Sequence, residues 1–296
     1  MVDHLISVRL YLENLHFFIF MFEKKGVYLQ KDIKTNILNM TNLYSQDNIS
    51  THGKAIYKPE GKAGEYSAWA CNLYNGCPNM CAYCYNNHNI MAKKLGGNVV
   101  RLKATLIDEK NAFSIFCAEL DKYKSYIIQD GSLHFNFVSD PCLSETIELN
   151  WRCIDYALEH NVPCQILTKK ADWLDNPVVQ NALGHQKLIR IGFSLTGCDN
   201  LEPGASPNNE RIHAMRVIHD MGISTWASIE PIIDPQASYT MISNTLDCCD
   251  HYKIGILSGK KNYTPQEIRE FVSAVLKLNP QSVYFKNSLQ EFIKKG

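Results

Sequence analysis

The chain has 296 residues, 45% of them hydrophobic and 20% charged, with 30 Lys and Arg balancing 30 Asp and Glu. That mixture is too apolar for disorder, and its zero net charge argues against gripping long duplexes by charge alone, though it allows a local basic patch. No apolar run is long enough to cross a bilayer. Leu15 to Phe22 is the nearest and no small-residue cleavage site follows it, which points to a cytoplasmic protein with no membrane partner.

Residues 1–55 lack clear periodicity and are expected to form a poorly ordered N-terminal extension, with Met21 and Met40 as alternative starts. From residue 66 onward, short apolar or β-branched runs alternate with helical patterns. The spacing predicts strands at Ser67–Tyr74, Leu133–Ser139, Pro163–Thr168, Leu188–Leu195, Ser224–Glu230, Tyr252–Leu257 and Ser282–Phe285. The clearest helices between them are Asp108–Tyr123, Glu145–His160, Pro207–Met221 and Thr264–Leu278. The last carries the stripe Ile268, Phe271, Val272, Val275, behind a capping box of Thr264 and Glu267 with Pro265 at the first helical position. Strand-then-helix alternation means parallel strands joined by right-handed crossovers. About six or seven such units suggest a full or partial α/β barrel, and no GxGxxG opens a helix to support a dinucleotide-binding sheet. Residues 261–296 would add a βα extension packed on the barrel.

In parallel barrels, chemistry sits where strands run out into loops. Ser139-Asp140-Pro141, Thr168-Lys169-Lys170, Ser194 and Glu230-Pro231 occupy four successive strand ends. Any one of these could be an ordinary turn former. Four in succession point to a pocket.

The chain has 11 cysteines, an odd number, which favours metal or redox chemistry over a disulfide framework. Most can be small buried hydrophobes, including the adjacent pair Cys248-Cys249. The run Cys77, Cys81, Cys84 cannot, because three thiols on one loop after the first strand can wrap a soft-metal centre. Three protein ligands on a 4Fe–4S cube would leave one iron open for chemistry. The competing reading is a zinc-stabilised nucleic-acid-binding protein without catalysis. There Cys71 or His88 would complete a tetrahedral site, and Lys93, Lys94, Arg101 and Lys103 would touch phosphates. No second CxxC occurs, and Cys71 falls within a strand.

C-x3-C-x2-C with Tyr83 just before the last cysteine resembles the radical S-adenosylmethionine superfamily. The longer string Asn72-Leu73-Tyr74…Gly76-Cys77…Cys81-Ala82-Tyr83-Cys84-Tyr85 is similar to the branch that includes spore photoproduct lyase. So are Gly61 to Ser67, Ser139-Asp140-Pro141 with Glu145, Thr168-Lys169, Glu202 to Ala205 with Arg211, and Glu230-Pro231. The likeness covers about residues 55–260. It implies a core domain over residues 56–260 with a partial (β/α)6 TIM-like barrel, and a 4Fe–4S cluster on Cys77, Cys81 and Cys84. It also implies an S-adenosylmethionine cofactor cleaved reductively to a 5′-deoxyadenosyl radical. That radical would abstract hydrogen from a substrate, a nucleic acid by family analogy and equally a peptide or small molecule by sequence. An electron donor such as flavodoxin or ferredoxin would serve the cluster. Ser139, Lys169 and Ser194 match positions that contact the cofactor in the family. Asp140 and Glu230 join them as strand-end groups, and Tyr83 and Tyr85 would stack beside adenine. One departure stands out: the branch's hydrogen-donor cysteine is Phe137 here, and Cys142 is the nearest thiol in sequence.

Overall fold

The computed structural model describes residues 53–87 and 89–294. Residues 1–52, with Leu15–Phe22, Met21 and Met40, lie outside it, as does His88. Eight strands form one sheet in the order β1 (Ile56–Tyr57), β2 (Trp69–Cys71), β5 (Leu133–Phe135), β6 (Cys164–Thr168), β7 (Ile189–Ser194), β8 (Ser224–Ile232), β9 (His251–Ile256), β10 (Val283–Phe285). β1 runs antiparallel to β2, and every later neighbour is parallel. After these parallel strands come α2 (Glu109–Asp130), α3 (Ile147–Glu159), α4 (Pro177–Leu183), α5 (Asn208–Asp220), α6 (Pro235–Ser243), α7 (Pro265–Lys277) and α8 (Asn287–Lys294). A short α1 (Asn89–Lys94) lies in the loop after β2, beside a two-stranded ribbon of β3 (Tyr74–Asn75) and β4 (Arg101–Leu102). The architecture is the expected partial barrel, with β10 and α8 as its C-terminal βα addition.

The strands alternate as a half-apolar sheet should. Leu133, Phe135, Ile166, Ile191, Phe193, Ala227, Ile229, Tyr252 and Ile254 are fully or almost fully buried. They face the helix layer: Phe135 meets Phe116 of α2 with ring centres 6.0 Å apart, and Tyr252 bonds Thr245 just after α6. Burying each such large side chain stabilises the fold by about 1.5–3 kcal/mol. The alternate residues His134, Gln165, Trp226, Ser228 and Lys253 gather on the other face around Tyr66. That convergence requires curvature. Lys286, which follows β10, donates to the carbonyl of Lys62, and Glu65 accepts from Tyr284 and from the backbone of Asn287. Residues 61–66 precede β2 near one end of the strand order, yet they bond to its other end, so the sheet is curled around them.

Three boundaries differ from expectation by three residues or more. The first predicted strand, Ser67–Tyr74, breaks after Cys71, and the second, Leu133–Ser139, stops at Phe135. One side chain accounts for both. The Asn72 carbonyl oxygen accepts from the amide of Phe137 at 2.8 Å and of Val138 at 3.4 Å, while its amide donates to Tyr57. Those backbone groups are thereby diverted from the ladder. The predicted helix Asp108–Tyr123 continues to Asp130, because no Gly or Pro interrupts it before Gly131, whose φ is 125°. Ile127 in the added turns is fully buried.

Candidate functional site

The cysteine loop is held by backbone on both sides. Cys77 N–H donates to Gly97 O at 2.9 Å, and Ala82 N–H to Leu201 O at 2.9 Å. Gly76 has φ +80°, and a side chain there would run into the carbonyl of Val99, so the turn into Cys77 needs glycine. Beneath the loop lies Asp140, 5% exposed. One carboxylate oxygen accepts from Asn79 of the loop at 2.9 Å and from the backbone of Lys169 at 2.8 Å. The other accepts from the backbone of Cys142 at 3.0 Å and from Thr168 at 2.6 Å. Asp140 therefore ties the loop to the end of β6 and has no acceptor position to spare. Ser139 donates to Gly76 O at 2.8 Å and braces the same turn.

Two cavities open at the strand ends. The smaller, about 120 Å³, is lined by all three loop thiols together with Asn79, Asn86, Ser139 and Asp140. The larger, about 550 Å³, is lined by Tyr66, Tyr83, Tyr85, Asn136, Glu230 and Lys286 among others. Cys81, Cys84, Phe137, Leu167 and Lys169 border both. The side-chain oxygens of Asn79 and Asn86 are buried on the smaller cavity without a partner among the described residues. Burial and the nearby Asp140 push the Cys77 thiol up to about 12, and burial raises Cys81 against the pull of Lys169. A bound cation reverses that tendency, since a metal-coordinating thiol is deprotonated. Among the described residues, no three His, Cys, Asp or Glu side chains converge on a point that would hold one ion. Cys71 is fully buried, with Lys103, Glu119 and Cys164 as its charged and thiol neighbours, and lines neither cavity. Lys93, Lys94 and Arg101 are exposed, but Lys103 turns inward to the carbonyl of Lys54.

The expected cofactor-binding side chains divide between the two spaces. Lys169 stands between the cavities, with its ammonium 3.2 Å from Glu202 and 5.4 Å from the centre of the Tyr83 ring. Tyr83 donates its hydroxyl to the same Glu202 carboxylate, which also pairs with Arg211 at 2.5 Å. Glu202 and Arg211 have no exposed side-chain surface. Burial pushes the Glu202 carboxyl up, but the charges of Lys169 and Arg211 and the hydrogen bonds from Tyr83 and Arg211 outweigh it and hold the group below its ordinary value. Tyr85 donates to Phe137 O at 2.9 Å and is 53% exposed at the rim. Glu230 accepts from Tyr66 at 2.6 Å and from Lys286 at 2.7 Å on the far wall. Ser194 lines neither cavity, and its carbonyl accepts from Arg211. Cys142 is 4% exposed and also lines neither, while Phe137 borders both. Cys248 and Cys249 are buried, and all 11 cysteines are free.

Sequence reasoning missed Tyr66, Asn136 and Lys286. Lys286 directly follows the last predicted strand, so the strand-end rule applied once more would have found it. Tyr66 and Asn136 carried no such mark.

A curled, mostly parallel sheet with helices outside and a thiol-lined loop at its strand ends defines a partial α/β barrel. Solved structures specify the form. The chain matches a cysteine-to-serine variant of spore photoproduct lyase over 79% of its own length and 80% of that chain, with a TM-score of 0.59 and 16% identity. It matches the lyase complexed with dinucleoside spore photoproduct over 80% of each chain, at TM-score 0.57 and 14% identity. A double variant with bound S-adenosylmethionine and the same dinucleoside matches over 75% of this chain and 77% of that one, at 0.56 and 14%. No protein-family model and no curated sequence matches the chain. The protein has the spore photoproduct lyase-like fold.

Proposed function

We propose that the protein is a radical S-adenosylmethionine enzyme whose cluster is held by Cys77, Cys81 and Cys84. The observation that carries this reading is the pair of adjoining cavities: one lined by all three thiols, the other large enough for small molecules and sharing Cys81 and Cys84 with it. A 4Fe–4S cluster bound there would supply the electron that cleaves S-adenosylmethionine to a 5′-deoxyadenosyl radical, which abstracts hydrogen from substrate. The chain's own residues position and shield. Asp140 and Ser139 fix the loop, and Tyr83 and Lys169, locked on Glu202, form the wall between the spaces. Tyr85 and Glu230 face the ligand chamber, and Ser194 acts through Arg211 on the same ion-pair group.

The bound dinucleoside in the lyase structures supports a nucleic-acid substrate, and a flavodoxin or ferredoxin is the fitting class of electron donor. Eleven free cysteines suit the reducing cytoplasm. Among the described residues no helix is long and apolar enough to cross a membrane. Phe137 offers no transferable hydrogen where the lyase branch has a cysteine, so the outcome of the radical step differs from that of the lyase.

The test is anaerobic reconstitution with iron and sulfide, followed by S-adenosylmethionine and dithionite. The parent should bind both elements and release 5′-deoxyadenosine, and Cys81→Ala should lose the cluster's visible absorption. If a Cys77, Cys81, Cys84 triple alanine variant binds as much iron and sulfide as the parent, the reading fails.

A further inference from the structure

The larger cavity contains one side chain whose chemistry is unanswered. Asn136 is 6% exposed, and neither its amide nitrogen nor its carbonyl oxygen has a hydrogen-bond partner among the described residues. Its backbone follows directly on β5, and it lines the cavity. A buried amide with nothing to bond costs free energy, so a group from outside the described chain is the natural partner for it. The surroundings limit what that group is. Tyr66, Tyr83, Tyr85 and Phe137 line the same space, and Phe137 is itself backed by His134 at 4.2 Å in a stacked arrangement. Flat rings accept a flat ligand. A carboxamide presents one donor beside one acceptor, the pattern with which asparagine engages adenine through two hydrogen bonds. The imide edge of thymine or uracil also sets a donor beside an acceptor.

We propose that Asn136 reads the edge of a nucleobase that lies among these rings. The inference rests on the proposed function only in taking the larger cavity as the ligand chamber. The base belongs either to the adenosyl group of the cofactor or to a nucleic-acid substrate, and the two are separable. Binding of adenosine and of a single-stranded oligothymidylate is measured by calorimetry on the parent, Asn136→Leu and Asn136→Asp. Iron and sulfide are counted in the same preparations.

Asn136→Leu should weaken binding of at least one probe by about ten- to a hundredfold. The midpoint of its urea unfolding should be equal or higher, because two unpaired buried polar atoms are gone. Asn136→Asp should weaken the same probe, having lost the donor. Loss confined to adenosine assigns the contact to the cofactor's base, and loss confined to oligothymidylate assigns it to the substrate. Unchanged affinity for both, binding of neither by the parent, or a lower midpoint with unaltered affinity overturns the proposal. A variant with parental iron and parental affinities sinks this inference alone. A parent without iron that still binds a base through Asn136 sinks the cluster reading alone.

Discussion

Glu202 joins two cations and a phenol on one buried carboxylate close to the thiols. It sits in a space with no solvent access and accepts from Arg211, Lys169 and Tyr83. Two cations and a phenol share one carboxylate, so its removal leaves a buried guanidinium uncompensated. Losing one partner of such a pair typically costs about 3–5 kcal/mol, whereas an exposed pair is worth a fraction of that. Glu202→Ala should therefore lower the urea midpoint far more than loss of the surface pair Arg216–Asp247, where Asp247→Ala serves as the control. Equal shifts in the two variants would remove Glu202 from its central role. Little of this was visible in the sequence. Glu202 and Arg211 belong to the family resemblance, but a charged residue in a loop carries no local sign that it will be buried. The cysteines did carry one, because three thiols at such spacing are not a packing stripe.

At the scale of elements, the first strand depends on a helix well downstream. One Glu119 carboxylate on α2 accepts from the backbone amides of Lys54 at 2.6 Å, Ala55 at 3.0 Å and Ile56 at 2.8 Å. A two-residue antiparallel edge strand has little else to hold it. Glu119→Ala should raise hydrogen–deuterium exchange at residues 54–57 by at least about tenfold while residues of β6 and β7 keep their protection. Unaltered exchange at 54–57 would show that the clamp is dispensable. Short elements also explain which parts of the fold were legible. The capping box of α7 was read from Thr264 and Glu267 and is present in full. Helices α4 and α6 were passed over although Asn176-Pro177 and Asp234-Pro235 are each a capping side chain followed by proline at the first helical position. Their start signals were readable, but their apolar stripes were too short to stand out. The early ends of β2 and β5 were not readable, because Asn72 acts on amides 65 and 66 residues away.

Over the whole molecule, the curled sheet confines titratable groups to its concave side. His134 lies there fully enclosed, and burial, aided by Lys253, drives its imidazole down to about 3. In the unfolded chain the same group takes a proton near 6.5. Between those values the unfolded state binds more protons, so this contribution to stability is complete above pH 6.5 and is lost as the pH falls toward 3. By pH 5 the loss is about 2 kcal/mol. His251, held down to about 4 chiefly by burial, acts in the same direction. His134→Gln should flatten the fall in unfolding free energy between pH 6.5 and 5. A variant with the parental slope would place the acid sensitivity elsewhere.

Glu230 packs directly against Gly255, its neighbour on β9. A methyl group on that residue would come within 2.7 Å of the Glu230 carboxyl carbon and one of its oxygens. The far wall of the ligand chamber thus owes its shape to a missing atom one strand away. A search for function that weighs only thiols, charges and rings would pass over the position, although the lightest possible alteration there obliges the Glu230 carboxyl, which holds a phenol and an ammonium, to shift.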